Sequence, residues 1–275
     1  MSFCVAAETG VAWIAHVMAK TARQIVHRDQ LRFENNEALQ QYYEGKYREG
    51  GYEEAGFTLH GVDISRMFHE RRQESALSFL GLQKSDLVLD AGCGNGSLSA
   101  QLAPMAGEVH AIDIAANALD PNFAAIPNLH FQAMNVESLT YPDSKFDAIV
   151  CVETLEHLLH PERAIAEFFR VLKSGGRLVL TYPTINRTLM KRCRLGPRVP
   201  ISEHLNEWSY GELSSAVRKV GFTVERVDGI AFDFGLLLAL KHLNRFFAAN
   251  ITHASLAIRR FPSNSMFVAL LLRKP

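Results

Sequence analysis

The sequence predicts an α/β protein built on a doubly wound, seven-stranded sheet and preceded by an N-terminal helical cap. Three observations carry that prediction. From Leu87 onward, strand-like and helix-like segments alternate, the pattern of a parallel sheet covered by helices. Phe146 to Val152 (FDAIVCV) is almost continuously apolar, as a strand buried on both faces should be. Gly92-Cys93-Gly94-Asn95-Gly96 follows the first strand directly and opens a helix at Ser97.

In chain order, Leu87–Ala91 is a short apolar run ending in an acid and a glycine turn. Glu108–Asp113 is the second strand, Leu129–Gln132 the third and Phe146–Val152 the fourth. Leu178–Tyr182, Phe222–Val227 and Met266–Leu272 complete the seven. After Pro161, residues Ile165, Phe168, Phe169 and Leu172 recur at helical spacing, and Gly175-Gly176 is expected to stop that helix. Ser209 and Glu212 have capping-box spacing ahead of Leu213, Ala216, Val217 and Val220 on one helical face.

Residues 1–80 read as the cap, broken by a Gly50-Gly51 turn, and 81–275 as the sheet domain with basic insertions at 186–200 and 230–262. The cap contains Tyr42, Tyr43 and Tyr47, rings suited either to packing onto the domain or to covering a bound ligand. The first insertion carries Arg187, Lys191, Arg192, Arg194 and Arg198 without an acid, either a solvated loop or a seat for an anionic group. In the second, Gly235–Ile251 places Leu236, Leu240, Leu243 and Phe247 on one helical face beside Lys241 and Arg245. Such a helix packs on its own domain, contacts an anionic membrane surface peripherally, or accepts a lipophilic substrate.

The chain's 29 Lys plus Arg balance its 29 Asp plus Glu, so no overall field favours nucleic acid. Cys4, Cys93, Cys151 and Cys193 lack paired spacing, which excludes a Cys-rich zinc site or small disulfide framework and fits a cytoplasmic setting. Ser2–Met18 is interrupted by Glu8 and His16 and reads as an amphipathic helix, not a signal peptide.

The glycine turn allows close backbone approach to a ligand and presents the free N–H groups of a helix start. Asp113 ends the second strand, 21 residues after Gly92, where a carboxylate meets ribose hydroxyls. Asp90, two residues before Gly92, would repel a pyrophosphate but pairs well with an ammonium, and Ser97 replaces the third glycine of a dinucleotide site. A phosphate-free cofactor with an amino-acid head, S-adenosylmethionine, suits these charges better than a nicotinamide dinucleotide.

The stretch Val88–Gly96 (VLDAGCGNG) resembles the first motif of class I S-adenosylmethionine-dependent methyltransferases, which have a Rossmann-like fold. Asn135-Val136-Glu137-Ser138-Leu139, Phe146-Asp147, Glu156-His157-Leu158 and Val171–Gly176 extend the resemblance over residues 85–230 and 266–272. It implies a mostly parallel sheet whose seventh strand runs antiparallel. It also implies cofactor contacts from Asp90, Gly92, Cys93, Gly94, Asn95, Gly96, Asp113, Ile114, Asn135, Val136 and Cys151. Asn135 departs from the family's usual aspartate, but its amide oxygen can accept from the adenine amino group.

Glu153-Thr154-Leu155-Glu156-His157 follows the fourth strand, at the carboxyl edge where doubly wound sheets bind ligands. If the segment is helical, Glu153 and His157 share a face. His157 then serves as general base with Glu153 orienting it. Alternatively Glu153, Glu156 and His157, with His204 as fourth ligand, hold a divalent metal such as Mg²⁺. Glu-x-x-Glu-His resembles ubiquinone-biosynthesis O-methyltransferases and small-RNA 3′-terminal 2′-O-methyltransferases in this respect. The third reading is a histidine that caps the turn and packs beneath the cofactor. The expected activity is O-methylation of a small phenol, quinol or sugar, anionic or lipophilic in character, with no nucleic-acid partner. RNA 2′-O-methylation and non-catalytic cofactor binding that regulates a partner are the alternatives.

Overall fold

A computed structural model describes residues 33–50, 58–59, 62–193, 203–232 and 258–275. The segments read as helices at Ser2–Met18 and Gly235–Ile251, with the membrane contact drawn from the second, lie outside the described residues, as do Cys4, Arg194 and Arg198.

Seven strands form one sheet: β1 (Leu87–Ala91), β2 (Glu108–Asp113), β3 (Leu129–Ala133), β4 (Phe146–Val152), β5 (Leu172–Pro183), β6 (Thr223–Phe232) and β7 (Ser265–Arg273). Their order is β3-β2-β1-β4-β5-β7-β6. The first five run parallel, while β7 lies antiparallel between β5 and β6, as the family resemblance implies. The order reverses between β1 and β4, which opens a crevice at their carboxyl ends.

Alternating side chains along each strand feed two cores. Leu89, Ile149 and Leu180 join Ile165 and Phe168 of helix α4 (Pro161–Val171) and Leu213 and Val217 of α5 (Tyr210–Val220) on one face. Val88, Val150 and Val179 meet Ala76, Phe79 and Leu80 of α2 (Ile64–Leu80) and Leu98 and Leu102 of α3 (Ser97–Leu102) on the other. Thus α2, placed by sequence within the cap, is a covering helix of the sheet. The part of the cap that stands over the crevice is α1 (Asn36–Arg48), capped by Asn35, whose side chain accepts from the Ala38 N–H.

Two boundaries differ from the sequence reading. Helix α4 ends at Val171, before the glycine pair, because Leu172 pairs with Phe146 as the start of β5. Gly175, at φ +73°, instead sits in an irregularity after which the ladder resumes at Ala148–Arg177. Strand β6 continues to Phe232, so residues 230–232 belong to the sheet and not to the second insertion. The described part of the first insertion, 186–193, includes Arg187 paired with Glu212 at 2.7 Å.

The capping box of α5 is fully formed: Ser209 Oγ accepts from the Glu212 N–H, and Glu212 accepts from the Ser209 N–H. Ser209→Ala should cost about 1 kcal/mol of stability, read as a lower urea midpoint with an unchanged slope. An unchanged midpoint would show the box is energetically idle.

Candidate active site

A cavity of about 1170 Å³ occupies the crevice, floored by the ends of β1, β2 and β4 and roofed in part by α1. At its glycine end, the Gly92 and Cys93 N–H groups both donate to the Ile112 carbonyl, at 2.8 and 2.9 Å, folding the loop back onto β2. Gly92 has φ +78°, and a Cβ there would overlap the Thr154 side chain. Gly94, at φ +55°, has the Tyr47 hydroxyl 3.2 Å from where its Cβ would stand. Asp113 braces this loop: its Oδ2 accepts from Gly94 N–H and its Oδ1 from Ala115 N–H, both at 3.0 Å. Burial raises the Asp113 pKa, opposed by those backbone donors.

Asp90 is buried and accepts from Ser99 Oγ at 2.6 Å. Burial pushes its pKa up to about 7 despite that bond, with Asp113 adding repulsion. Asn135 Oδ1 accepts from the Glu137 N–H at 2.8 Å, shaping the turn that ends beside Val136. Asn36, at the start of α1, donates to Glu137 at 3.2 Å and ties the cap to that turn.

Of the residues expected to meet a cofactor, Asp90, Gly92, Cys93, Gly94, Asn95, Asp113, Ile114, Asn135 and Val136 line the cavity. Two do not. Gly96 starts α3, and its missing side chain makes room for Leu119. Cys151, the penultimate residue of β4, points into the core and is fully buried. Burial raises both cavity-side and core thiols, Cys93 and Cys151, so neither is a ready nucleophile.

Beyond β4 the chain does not continue as an α-helix. Glu153 takes φ +50°, and Leu155–His157 form a single 3₁₀ turn. Glu153 and His157 therefore do not share a helical face. Glu153 Oε1 accepts from Thr181 Oγ1 at 2.8 Å, and its Oε2 lies 3.7 Å from the buried Arg72 guanidinium. The carboxylate that meets His157 is that of Glu156, 3.7 Å from Nε2; His204 Nε2 lies 4.0 Å from the same oxygen. Ligand atoms of Glu156, His157 and His204 fall within 4.8 Å of one another, a group that leaves out Glu153.

Both Glu156 oxygens are buried and lack a hydrogen-bond partner. Burial, then the Glu153 charge, pushes the Glu156 pKa well up. His157 Nδ1 lies 3.1 Å from the Glu203 carbonyl, so the ring donates there through Nδ1. Burial lowers the His157 pKa to about 4, with Glu203 working against the shift. Two imidazoles beside a buried carboxylate whose oxygens lack a hydrogen-bond partner match the donor chemistry of a divalent cation, and the Glu203 carbonyl orients the His157 ring as an outer partner would. With their ligand atoms up to 4.8 Å apart, a bound cation would need the three side chains to draw closer together.

The sequence reading missed Arg72, Lys46, Thr154, Glu203 and Phe267, all on the cavity wall. Thr154 stands inside the Glu153–His157 segment and Lys46 inside the tyrosine run, neither singled out there, while Arg72, Glu203 and Phe267 sit in no motif and reach the site only through the fold. The tyrosine run did signal Tyr43 and Tyr47, which both pack the cap and face the cavity.

Residues 66–227 match a family model described as a methyltransferase domain. Over 108 residues the chain is 38% identical to a ubiquinone biosynthesis O-methyltransferase of Coxiella burnetii, covering 38% of this chain and 45% of that one. It is 30% identical over 168 residues to a probable S-adenosylmethionine-dependent methyltransferase of Mycolicibacterium smegmatis, covering 61% and 64%. Neither match spans two thirds of the relative's length. The fold superposes on geranyl diphosphate C-methyltransferase from Streptomyces coelicolor with TM-score 0.60 at 15% identity, covering 88% of this chain and 99% of that one. Motif, strand order and family model agree: the chain belongs to the methyltransferase-domain family.

Proposed function

We propose that this enzyme methylates a hydroxyl of a small aromatic molecule, a phenol or quinol, beside a divalent cation held by Glu156, His157 and His204. The observation that carries the metal-assisted reading is the buried Glu156 carboxylate, without a hydrogen-bond partner, beside His157 and His204. Two imidazoles and one carboxylate suit Zn²⁺, or Mn²⁺ and Fe²⁺, better than the oxygen-seeking Mg²⁺ of the sequence reading. When bound, the cation supplies Lewis-acid polarisation of the acceptor hydroxyl.

The chain's own residues do the rest. Asp90 pairs with the cofactor ammonium, Asp113 accepts from its ribose, and the Asn135–Val136 turn borders its adenine. The reaction is an in-line displacement in which the acceptor oxygen bonds the methyl carbon as the carbon–sulfur bond breaks, so alignment is most of the catalysis. The hydroxyl proton passes to a carboxylate on the wall, and Glu153, held by Thr181 and Arg72, is the residue placed for it. His157 is poorly suited to take that proton alone, because burial holds its pKa at about 4.

Phe68 and Phe267 meet edge-to-face on the far wall, with centroids 5.9 Å apart, a surface that suits an aromatic ring over a sugar. Among the described residues, seven acids and three of Lys or Arg line the cavity, a balance that suits a sulfonium better than polyanionic RNA. The O-methyltransferase name of the Coxiella relative supports oxygen as the acceptor atom.

Methyl transfer from labelled cofactor to a panel of phenols and quinols tests this reading. Chelation should lower turnover at least about a hundredfold, with Zn²⁺ or Mn²⁺ restoring it and Glu156→Gln defeating the restoration. Full turnover by protein shown to be metal-free would remove the cation, and transfer only to nitrogen or carbon acceptors would remove the hydroxyl.

A further inference from the structure

Helix α1 touches both halves of the cavity with one face. Tyr43, Lys46 and Tyr47, spaced i, i+3 and i+4, all line it. Tyr47 stands over Gly94 at the cofactor end. Tyr43 meets the His157 ring edge-on, with centroids 6.1 Å apart. Lys46 forms an ion pair with Glu203, whose Oε1 also accepts from Tyr42 at 3.3 Å.

Glu203 is the hinge between cap and triad. Its side chain holds α1, its carbonyl accepts from His157 Nδ1, and the next residue is His204. The following N–H groups, of Leu205 and Asn206, donate to the Glu156 carbonyl at 2.8 and 3.0 Å. All three members of the triad are thus tied to one short segment, and that segment is tied to α1. A 13-residue helix moves as a unit, so its seating on the cofactor and its grip on Glu203 change together.

We infer that α1 couples the two sites: closing over the cofactor draws Glu203 into place and sets His157 and His204 for the cation, so each ligand raises the other's affinity. The inference rests on the cation reading above. Lys46 and Glu203 act here as positioning residues. Linkage requires the coupling to be reciprocal, and a factor of about ten is ordinary for such a device.

Metal-free, full-length protein is titrated with Zn²⁺ against a chromophoric chelator, with and without S-adenosylhomocysteine. The reverse titration follows S-adenosylhomocysteine binding without and with saturating Zn²⁺. Each ligand should tighten the other about tenfold, by the same factor in both directions. Lys46→Met and Glu203→Gln should each reduce the factor to below about two while both ligands still bind. A wild-type factor of one overturns the coupling and leaves the cation site standing. A factor unchanged in both variants overturns the Lys46–Glu203 link. Absence of Zn²⁺ binding, or binding indifferent to Glu156→Ala, overturns the cation reading itself.

Discussion

Asp113→Ala should weaken S-adenosylhomocysteine binding by a hundredfold or more. The carboxylate is charged on two fronts: toward the ribose, as proposed, and toward the Gly94 and Ala115 N–H groups that fix the glycine loop. Two hydrogen bonds from ribose hydroxyls to a charged acceptor are worth about 3–6 kcal/mol together. The fold should suffer much less. Losing the acceptor for two backbone donors costs about 1 kcal/mol each, but removing a carboxylate that burial already penalises offsets part of that. Calorimetric titration beside a denaturation curve separates the two effects. Unchanged affinity would show that the ribose lies elsewhere; a collapse of stability equal to the loss of affinity would show that Asp113 serves only the loop.

The contrast between Asp113 and Glu203 shows why some of the site was legible in sequence and some was not. Asp113 sits at a fixed distance along the chain from Gly92, because one strand, one turn and one helix separate adjacent parallel strands. Spacing therefore carries its geometry. Glu203 reaches His157 across 46 positions, and the contact runs through its backbone carbonyl, which every residue type possesses. The strands were readable for a similar reason: burial on both faces leaves an apolar run such as FDAIVCV with few alternatives. The spacing of Glu153 and His157 allows a helix after β4 that would put both on one face. What excludes the helix is the left-handed backbone at Glu153, secured by Thr181 on the neighbouring strand β5. Cys151 was misplaced because a one-residue shift along a strand exchanges cavity for core.

Asp90 should make stability and cofactor affinity run in opposite directions with pH. Its folded pKa of about 7 lies above the unfolded value, so between about pH 4 and pH 7 the folded chain binds more protons than the unfolded chain. Its contribution to stability is full below about pH 4, is lost as pH rises through about 7 and is flat above. Three pKa units set a ceiling of about 4 kcal/mol. Asp90→Asn keeps the shape, lets Ser99 hold the amide and abolishes that slope, so at pH 8 it should melt roughly 5–10 °C higher than wild type. Other buried carboxylates, Asp113 and Glu156 among them, tilt both curves alike, so the difference between the two isolates Asp90. Cofactor binding reverses the sign. An ammonium needs the ionised carboxylate, so wild-type affinity should rise about tenfold per pH unit below 7. Binding in that range should also release close to one proton, read from titrations in buffers of different ionisation enthalpy. Asp90→Asn should bind at least about tenfold more weakly at pH 8 and release no proton. The buried charge would then be a stability cost that the protein carries because the ammonium of the cofactor relieves it. Affinity flat from pH 5.5 to 8, or an asparagine variant that binds as wild type does, would place the ammonium away from Asp90.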